Sequence, residues 1–249
     1  EVIPVFNSPD GININEGCGS THPEALQKAV LDNKAHAVLA HDGDADRVIA
    51  VDEMGRVVDG DSIMVSCARF LQSKGQLAHN KIVVTVMSNM GLRLAMQESG
   101  IEVIETKVGD RYVLEELLRS GACFGGEQSG HIIFTEHCTT GDGVLTALYL
   151  LKVMQETGRS LSELASQMER LPQLLENVPV DDKEAVMKSP VLARSIAEKE
   201  ETMEGQGRVL VRPSGTESLV RVMAEAKDKD LLQSVVDELV QVVKEEGSK

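Results

Sequence analysis

Basic side chains are scarce. The chain sets 25 Lys and Arg against 40 Asp and Glu, a formal charge of −15 over 249 residues. A general nucleic-acid binder needs the opposite balance, with cations facing phosphates. No apolar run approaches the roughly 20 residues of a membrane-spanning helix. Glu1-Val2-Ile3-Pro4-Val5 has no basic stretch ahead of an apolar core, so no secretory leader is read there. Cys18, Cys67, Cys123 and Cys138 form no close pair, which argues against a disulfide framework or a zinc site. Internal repeats and low-complexity tracts are missing too. A soluble cytoplasmic protein is expected, with no nucleic-acid partner and no membrane contact. There is no initiator Met, and the first residues are already apolar, so a piece of a longer protein is expected.

What is present suffices for real cores: 42% of the residues are apolar, enough for one to three domains. Ala37–Ala40 and Val48–Val51 read as buried strands around a polar loop. A helix over 61–71 follows, then strand 82–86, helix 90–98, strand 101–106 and helix 110–118, ended by Gly121. Such alternation predicts βαβ units and a largely parallel sheet. Helices over 142–157 and 161–168 come next, the second opened by the capping box Ser160-Leu161-Ser162-Glu163. Past Leu171-Pro172 the pattern becomes strand, helix 182–203, strand 208–212, turn, strand 219–226 and a closing helix. That helix repeats Leu231, Val235, Leu239 and Val243, with Leu232, Val236 and Val240 beside them, the stripe of a helix lying on a sheet. A separate α+β domain is expected from about 172.

Three loops carry chemistry. In Asp42-Gly43-Asp44-Ala45-Asp46-Arg47, three carboxylates alternate within five residues. Such crowding is unfavourable without a cation, and oxygen-only ligands favour Mg2+ or Ca2+ over zinc. Gly43 is expected to let the backbone fold tightly. A calcium-binding EF-hand loop would fit Asp42, Asp44, Asp46 and Glu53, but Arg47 stands where glycine is needed and the flanks are β-type. Arg47 favours a phosphoryl group at the same spot. A plain acidic turn is the simpler alternative. Gly125-Gly126-Glu127-Gln128-Ser129-Gly130-His131 follows a short strand, 122–124, and has neither P-loop nor GxGxxG spacing. Glu127 and Ser129 are spaced to leave one side of an extended turn, where they can bind neighbouring sugar hydroxyls. An ordinary strand-turn-strand link explains the glycines equally well. Arg212-Pro213-Ser214-Gly215-Thr216-Glu217, with Arg221 and Arg208 nearby, makes a local surplus of positive charge in an acidic chain. Hydroxyls, backbone amides and a guanidinium fork can surround a phosphate; a surface turn with incidental arginines is the alternative.

Together, and in this order, these loops resemble the α-D-phosphohexomutase superfamily over nearly the whole chain. Asn13-Ile14-Asn15 with Cys18-Gly19-Ser20-Thr21-His22-Pro23-Glu24, and Thr106-Lys107-Val108-Gly109-Asp110-Arg111-Tyr112, resemble its glucosamine-specific branch. The resemblance implies an α/β fold: mixed αβα domains followed by a C-terminal α+β domain, with a four-stranded antiparallel sheet and helices on one face. Residues 1–57 would end the family's second domain, 58–170 would form the third and 171–249 the fourth. The first domain, with the serine that carries the phosphoryl group, would be missing, since no Thr/Ser-Ala-Ser-His-Asn-Pro-like stretch occurs. Ser218 stands where the family pattern has Pro.

The implied reaction interconverts glucosamine 6-phosphate and glucosamine 1-phosphate through a phosphoserine and a sugar bisphosphate, supplying amino-sugar precursors of the cell wall. Asp42, Asp44 and Asp46 would hold Mg2+. Arg47, Lys107 and Asp110 would act at the transferring group. Glu127, Ser129, His131, Arg212, Ser214, Gly215, Thr216 and Arg221 would bind the substrate. The resemblance also allows a homodimer. Three other readings compete: a phosphomannomutase or phosphoglucomutase of the same superfamily, a sugar-phosphate-binding fragment without chemistry, and an unrelated Mg2+-dependent phosphatase that leaves the Arg212 turn unexplained.

Overall fold

The computed structural model describes residues 1–248. The chain divides into two compact units, Glu1–Glu169 and Arg170–Lys249.

In the first unit, helix α1 (Glu24–Asn33) leads into strands β1 (Ala37–His41), β2 (Val48–Asp52) and β3 (Val57–Val58). These form an antiparallel sheet in the order β1-β2-β3. A six-residue link cannot make the long crossover that parallel pairing needs, so this pair stays outside the parallel sheet. Helix α2 (Gly60–Ser73) follows, its N-terminus capped by Asp59, which accepts from the Ser62 N–H. Strand β4 (Lys81–Thr85), helix α3 (Met90–Glu98), strand β5 (Glu102–Thr106), helix α4 (Asp110–Ser120) and strands β6 (Phe124–Gly126) and β7 (Ile132–Phe134) build a second sheet, ordered β5-β4-β6-β7. β4 pairs in parallel with β5 and β6, whereas β7 returns antiparallel. Helices α5 (Gly143–Thr157) and α6 (Leu161–Ala165) complete the unit, α6 with its capping box formed.

The period of two along β4 divides the core. Ile82 and Val84 join Val48, Ala50, Ile63, Met64, Phe124 and Leu150 on one side. Val83 joins Val113, Leu117, Ala122 and Ile133 under α4 on the other. Ile63 and Met64 are fully buried, and burying each such side chain contributes about 1.5–3 kcal/mol. Helices on both faces of a sheet make the expected αβα layering. Helix α1 and strands β3 and β7 were not anticipated. α1 buries only Leu26 and Val30, too thin a stripe to stand out.

The second unit contains strand β8 (Gln173–Pro179), helices α7 (Lys183–Met187) and α8 (Pro190–Thr202), strands β9 (Gly207–Pro213) and β10 (Leu219–Ala226), and helix α9 (Lys229–Gly247). The sheet order is β8-β10-β9, fully antiparallel. The expected fourth strand is not formed among the described residues. The segment between β8 and β9 is spent on two helices, leaving no further run to pair. The single helix expected over 182–203 is broken at Ser189-Pro190, because proline has no N–H to give and its ring clashes with the preceding turn. Ser189 caps the new start, accepting from Val191 and Leu192. α9 buries Leu232, Val235, Val236, Leu239 and Val243, so its stripe is centred slightly beyond Leu231. Among the described residues no helix is long and apolar enough to cross a membrane.

Candidate functional site

Residues 42–47 hang between β1 and β2, whose last pair is His41 with Val48. Ligand oxygens of Asp42, Asp44 and Asp46 lie within 4.8 Å of one another. The tight turn is made by Ala45, at φ +59°, rather than by the glycine. At Gly43 a β-carbon would come within 2.8 Å of the end of the exposed Ile14 side chain, which would have to turn aside. Arg47 braces the loop, its N–H donating to Asp42 Oδ1 at 3.2 Å. Its guanidinium stands 3.6 Å from both Asp42 and Asp46. Burial pushes the Asp46 carboxyl above its ordinary value, and the neighbouring Asp42 pushes it further. A loop that crowds like charge and resists ionisation of one member is chemically suited to a hard divalent cation, since oxygen ligands alone are on offer.

The glycine-rich loop locks onto this one. Gly130 (φ +93°) lies so close to β2 that an added β-carbon would sit 2.1 Å from the Val48 carbonyl oxygen. The Val48 N–H donates to Gly130 O at 3.2 Å, and Arg47 bridges to His131. The Gly130 N–H donates to Glu127 O at 3.0 Å and the Glu127 N–H to His131 O at 2.9 Å. Residues 127–130 are therefore a closed turn joining β6 to β7, not the extended one expected. Ser129 is exposed at its tip and Glu127 half-buried. Glu127 Oε1 accepts from the Gly109 N–H at 3.0 Å, which brings the 107–110 segment to the same loop. Lys107 and Asp110 are exposed there. Gly109 occupies the cap position of α4 and Asp110 is the first helical residue. His131 is only 3% exposed. Its Nε2 accepts from the Gly141 N–H at 3.2 Å and lies 3.5 Å from Asp46 Oδ2. It faces the aspartate cluster rather than open space.

In the second unit the turn after β9 carries the other expected residues. Arg212 and Arg221 are direct partners across β9 and β10. Burial, and then the charge of Arg221, lower the Arg212 pKa. Two like charges directly opposed in a ladder are destabilising unless an anion joins them. Arg221 Nη2 lies 3.3 Å from Glu217. Ser214 is 2% exposed, and its Oγ accepts from the Glu217 N–H at 3.3 Å. That hydroxyl braces the turn internally, leaving Gly215 and Thr216 exposed at its tip. Arg208 does not belong to the charge surplus: it pairs at 2.7 Å with Glu225, which is 0% exposed.

Comparison with known proteins adds the family. "Phosphoglucomutase/phosphomannomutase, alpha/beta/alpha domain III" matches residues 59–171, and "Phosphoglucomutase/phosphomannomutase, C-terminal domain" matches residues 175–242. The chain belongs to this family. It is 69% identical over 245 residues to the phosphoglucosamine mutase of Pelotomaculum thermopropionicum, covering 98% of this chain and 55% of that protein. It is 67% identical over 244 residues to that of Desulforudis audaxviator, covering 98% and 54%. The chain thus spans about half the length of these curated relatives. Among solved structures, an Aspergillus fumigatus N-acetylphosphoglucosamine mutase shares the fold at TM-score 0.78 and 22% identity, over 92% of this chain and 52% of that one. Another structure of that enzyme, in complex with GlcNAc-6P and magnesium, gives TM-score 0.76 at 22% identity, over 92% and 53%.

Within this phosphohexomutase chain, sequence reasoning missed Lys183. Its ammonium donates to the backbone carbonyls of Ser214 at 2.5 Å and Glu217 at 3.1 Å. No local spacing announces a partner thirty-one residues away. Gly109, Gly130 and Gly141 hold the first unit's loops together through backbone contacts, which side-chain chemistry does not advertise.

Proposed function

We propose that this chain carries the metal, sugar and phosphate loops of a phosphoglucosamine mutase, which interconverts glucosamine 6-phosphate and glucosamine 1-phosphate by way of a sugar bisphosphate. The observation that carries the reading is the convergence of Asp42, Asp44 and Asp46 within 4.8 Å, interlocked through Gly130 with the turn that bears Glu127 and Ser129. High identity to named phosphoglucosamine mutases supports the choice of sugar.

Asp42, Asp44 and Asp46 hold Mg2+. Bound there, the ion supplies electrostatic stabilisation of the charge that develops on a transferring phosphoryl group, a contribution of several kcal/mol. Arg47, already spanning Asp42 and Asp46, offers its outer N–H groups to the same phosphoryl oxygens. Glu127 and Ser129 bind two ring hydroxyls that present nearly the same pattern after the sugar turns over. Lys107 and Asp110, drawn to Glu127 through Gly109, meet the reacting oxygen as a charge and a proton-handling group. His131 acts indirectly, its buried ring packed beside the aspartate loop and tied to it by the bridge to Arg47. Arg212, Arg221, Thr216 and the amides around Gly215 grip the phosphate that does not react, while Ser214 shapes the turn.

The division into 1–57, 58–170 and 171–249 belongs to this proposal, supported at its inner boundary by a family match that starts at residue 59. So do the cytoplasmic location and a homodimeric assembly. The test is an assay of the complete gene product with Mg2+ and a trace of sugar bisphosphate. Glucosamine 6-phosphate is expected to be converted in preference to mannose or glucose 6-phosphate. Faster turnover of mannose or glucose phosphate would reassign the sugar, and no conversion of any of them would end the mutase reading.

A further inference from the structure

Gly215 is a glycine that nothing in the protein requires. Its φ is not in the left-handed range, and a β-carbon built on it would meet nothing within 4 Å. Glycine is held where the backbone conformation, neighbouring atoms or an approaching ligand exclude a side chain. The first two do not apply, so the space over Gly215 is open for a group from outside the chain.

Beside the same turn stands Lys183, the first residue of α7. Its ammonium is fixed by the carbonyl oxygens of Ser214 and Glu217, at 2.5 Å and 3.1 Å. No described peptide bond is cis, and in a planar trans unit the C=O and the N–H that follows it point in opposite directions. Drawing the Ser214 carbonyl toward Lys183 therefore aims the Gly215 N–H away from it. Drawing in the Glu217 carbonyl does the same to the Ser218 N–H. Two further amides of the turn are satisfied within it: the Ser214 N–H on Leu219 O at 2.9 Å, and the Glu217 N–H on Ser214 Oγ at 3.3 Å. The turn has an inner side of satisfied groups and an outer side of aimed amides.

We propose that Lys183 is a positioning residue for anion recognition, holding the amides of Gly215 and Ser218 toward a phosphate that lies over Gly215. The inference rests on reading this turn as the grip on the sugar's non-reacting phosphate. The ammonium also neutralises the negative ends of two carbonyl dipoles that would otherwise oppose an anion close by. Lys183 is itself steadied, because Asp182 caps α7 by accepting from the Glu184 and Ala185 N–H groups at 3.0 Å and 2.9 Å. An arginine at 183 retains enough donors for both carbonyls, whereas a methionine retains only the stem.

The test is an NMR titration of the 15N-labelled chain, first with inorganic phosphate and then with glucosamine 6-phosphate. The amide resonances of Gly215 and Ser218 are expected to move downfield as the ligand binds. Lys183→Met shifts both resonances before any ligand is added and weakens affinity about tenfold, the scale of lost charge-assisted hydrogen bonds. Lys183→Arg returns the affinity to within about threefold of wild type, and Lys183→Gln falls between. Lys229→Met, on the exposed start of α9, behaves as wild type. Thermal unfolding of each variant checks that it is folded at the titration temperature. Should Lys183→Met not fold, the Gln and Arg variants make the same comparison. Unchanged affinity in Lys183→Met or Lys183→Gln, with binding lost in Arg212→Ala, overturns the role of Lys183 and leaves the turn as a phosphate site. Equal loss in Lys183→Arg and Lys183→Met reduces Lys183 to a structural strut. Unchanged affinity in Arg212→Ala as well removes the phosphate-site reading itself.

Discussion

The α-carbon of Gly130 faces the carbonyl of Val48 so closely that a single methyl group between them would lie 2.1 Å from the oxygen. This contact joins the glycine-rich turn to the strand that ends the aspartate loop. Gly130→Ala must both leave a φ of +93° and push the two segments apart. A loss of more than about 2 kcal/mol in urea unfolding is expected, together with weaker Mg2+ binding. Wild-type stability in Gly130→Ala would show that the loops are not held together there.

Mg2+ is expected to raise the melting temperature of the chain, since a ligand that binds only the native state stabilises it, by about 2.7 kcal/mol at a hundredfold excess over Kd. Asp44→Asn should abolish most of that response. In the absence of metal it should melt slightly higher than wild type, because one of three crowded carboxylates has lost its charge. A full Mg2+ response in Asp44→Asn would remove Asp44 from the ligand set. Differential scanning calorimetry with and without MgCl2 reads both signs.

Arg208 and Arg212 lie on the same strand and are expected to fail in opposite ways. Arg208→Met takes the guanidinium from beside Glu225, a carboxylate that is 0% exposed, and should cost about 3 kcal/mol of stability. Arg212→Met removes one of two like charges opposed across β9 and β10 and should cost less stability than Arg208→Met. Its loss appears instead as phosphate affinity, reduced at least about tenfold. Calorimetry on both variants beside a phosphate titration decides the pair.

Glu53 supplies a pH dependence. Burial would raise its carboxyl, but hydrogen bonds from the Ser162 side chain and from neighbouring groups prevail and hold it below the ordinary value of 4.5. The Ser162 N–H is 3.2 Å away, and the Ser162 hydroxyl donates to the other oxygen. A depressed native pKa means that the unfolded chain takes up its proton first as pH falls. The stability Glu53 contributes is thus fully present above 4.5 and lost as pH drops through the depressed value. Glu53→Gln should lower stability at neutral pH and flatten its decline on the acid side. Parallel acid limbs for the two proteins would contradict this.

The chain alone is expected to bind Mg2+ and sugar phosphate without converting glucosamine 6-phosphate, because none of its residues matches the family's phosphorylated serine loop. Turnover by the purified chain, with sugar bisphosphate present, would contradict that.

The elements that could be read in advance are those whose causes are local. Met90–Glu98 matched to the residue because Asn89 caps it and Gly100 follows, and the Ser160–Glu163 capping box needs only four consecutive residues. Pro190 was visible, yet the helix over 182–203 was read through it; the break needed only Ser189 as a new cap. Loop shapes were less accessible. The positive φ falls on Ala45 and not on Gly43, a backbone choice that residue types alone do not announce. His131, expected at the sugar, lies 3.5 Å from Asp46 and accepts from the Gly141 N–H, contacts between segments that spacing does not announce. Lys183 could not be found by motif, since its partners are carbonyls that every residue possesses.

His41 and Val48 close the end of the β1–β2 ladder, so the six residues between them are strung across a gap of fixed width. Length therefore constrains this loop as firmly as composition does. One alanine inserted after Ala45 would preserve every acidic side chain and both strands, yet Asp46 would be displaced from its place beside His131. The frame, and not the number of carboxylates, decides whether three of them can share one ion.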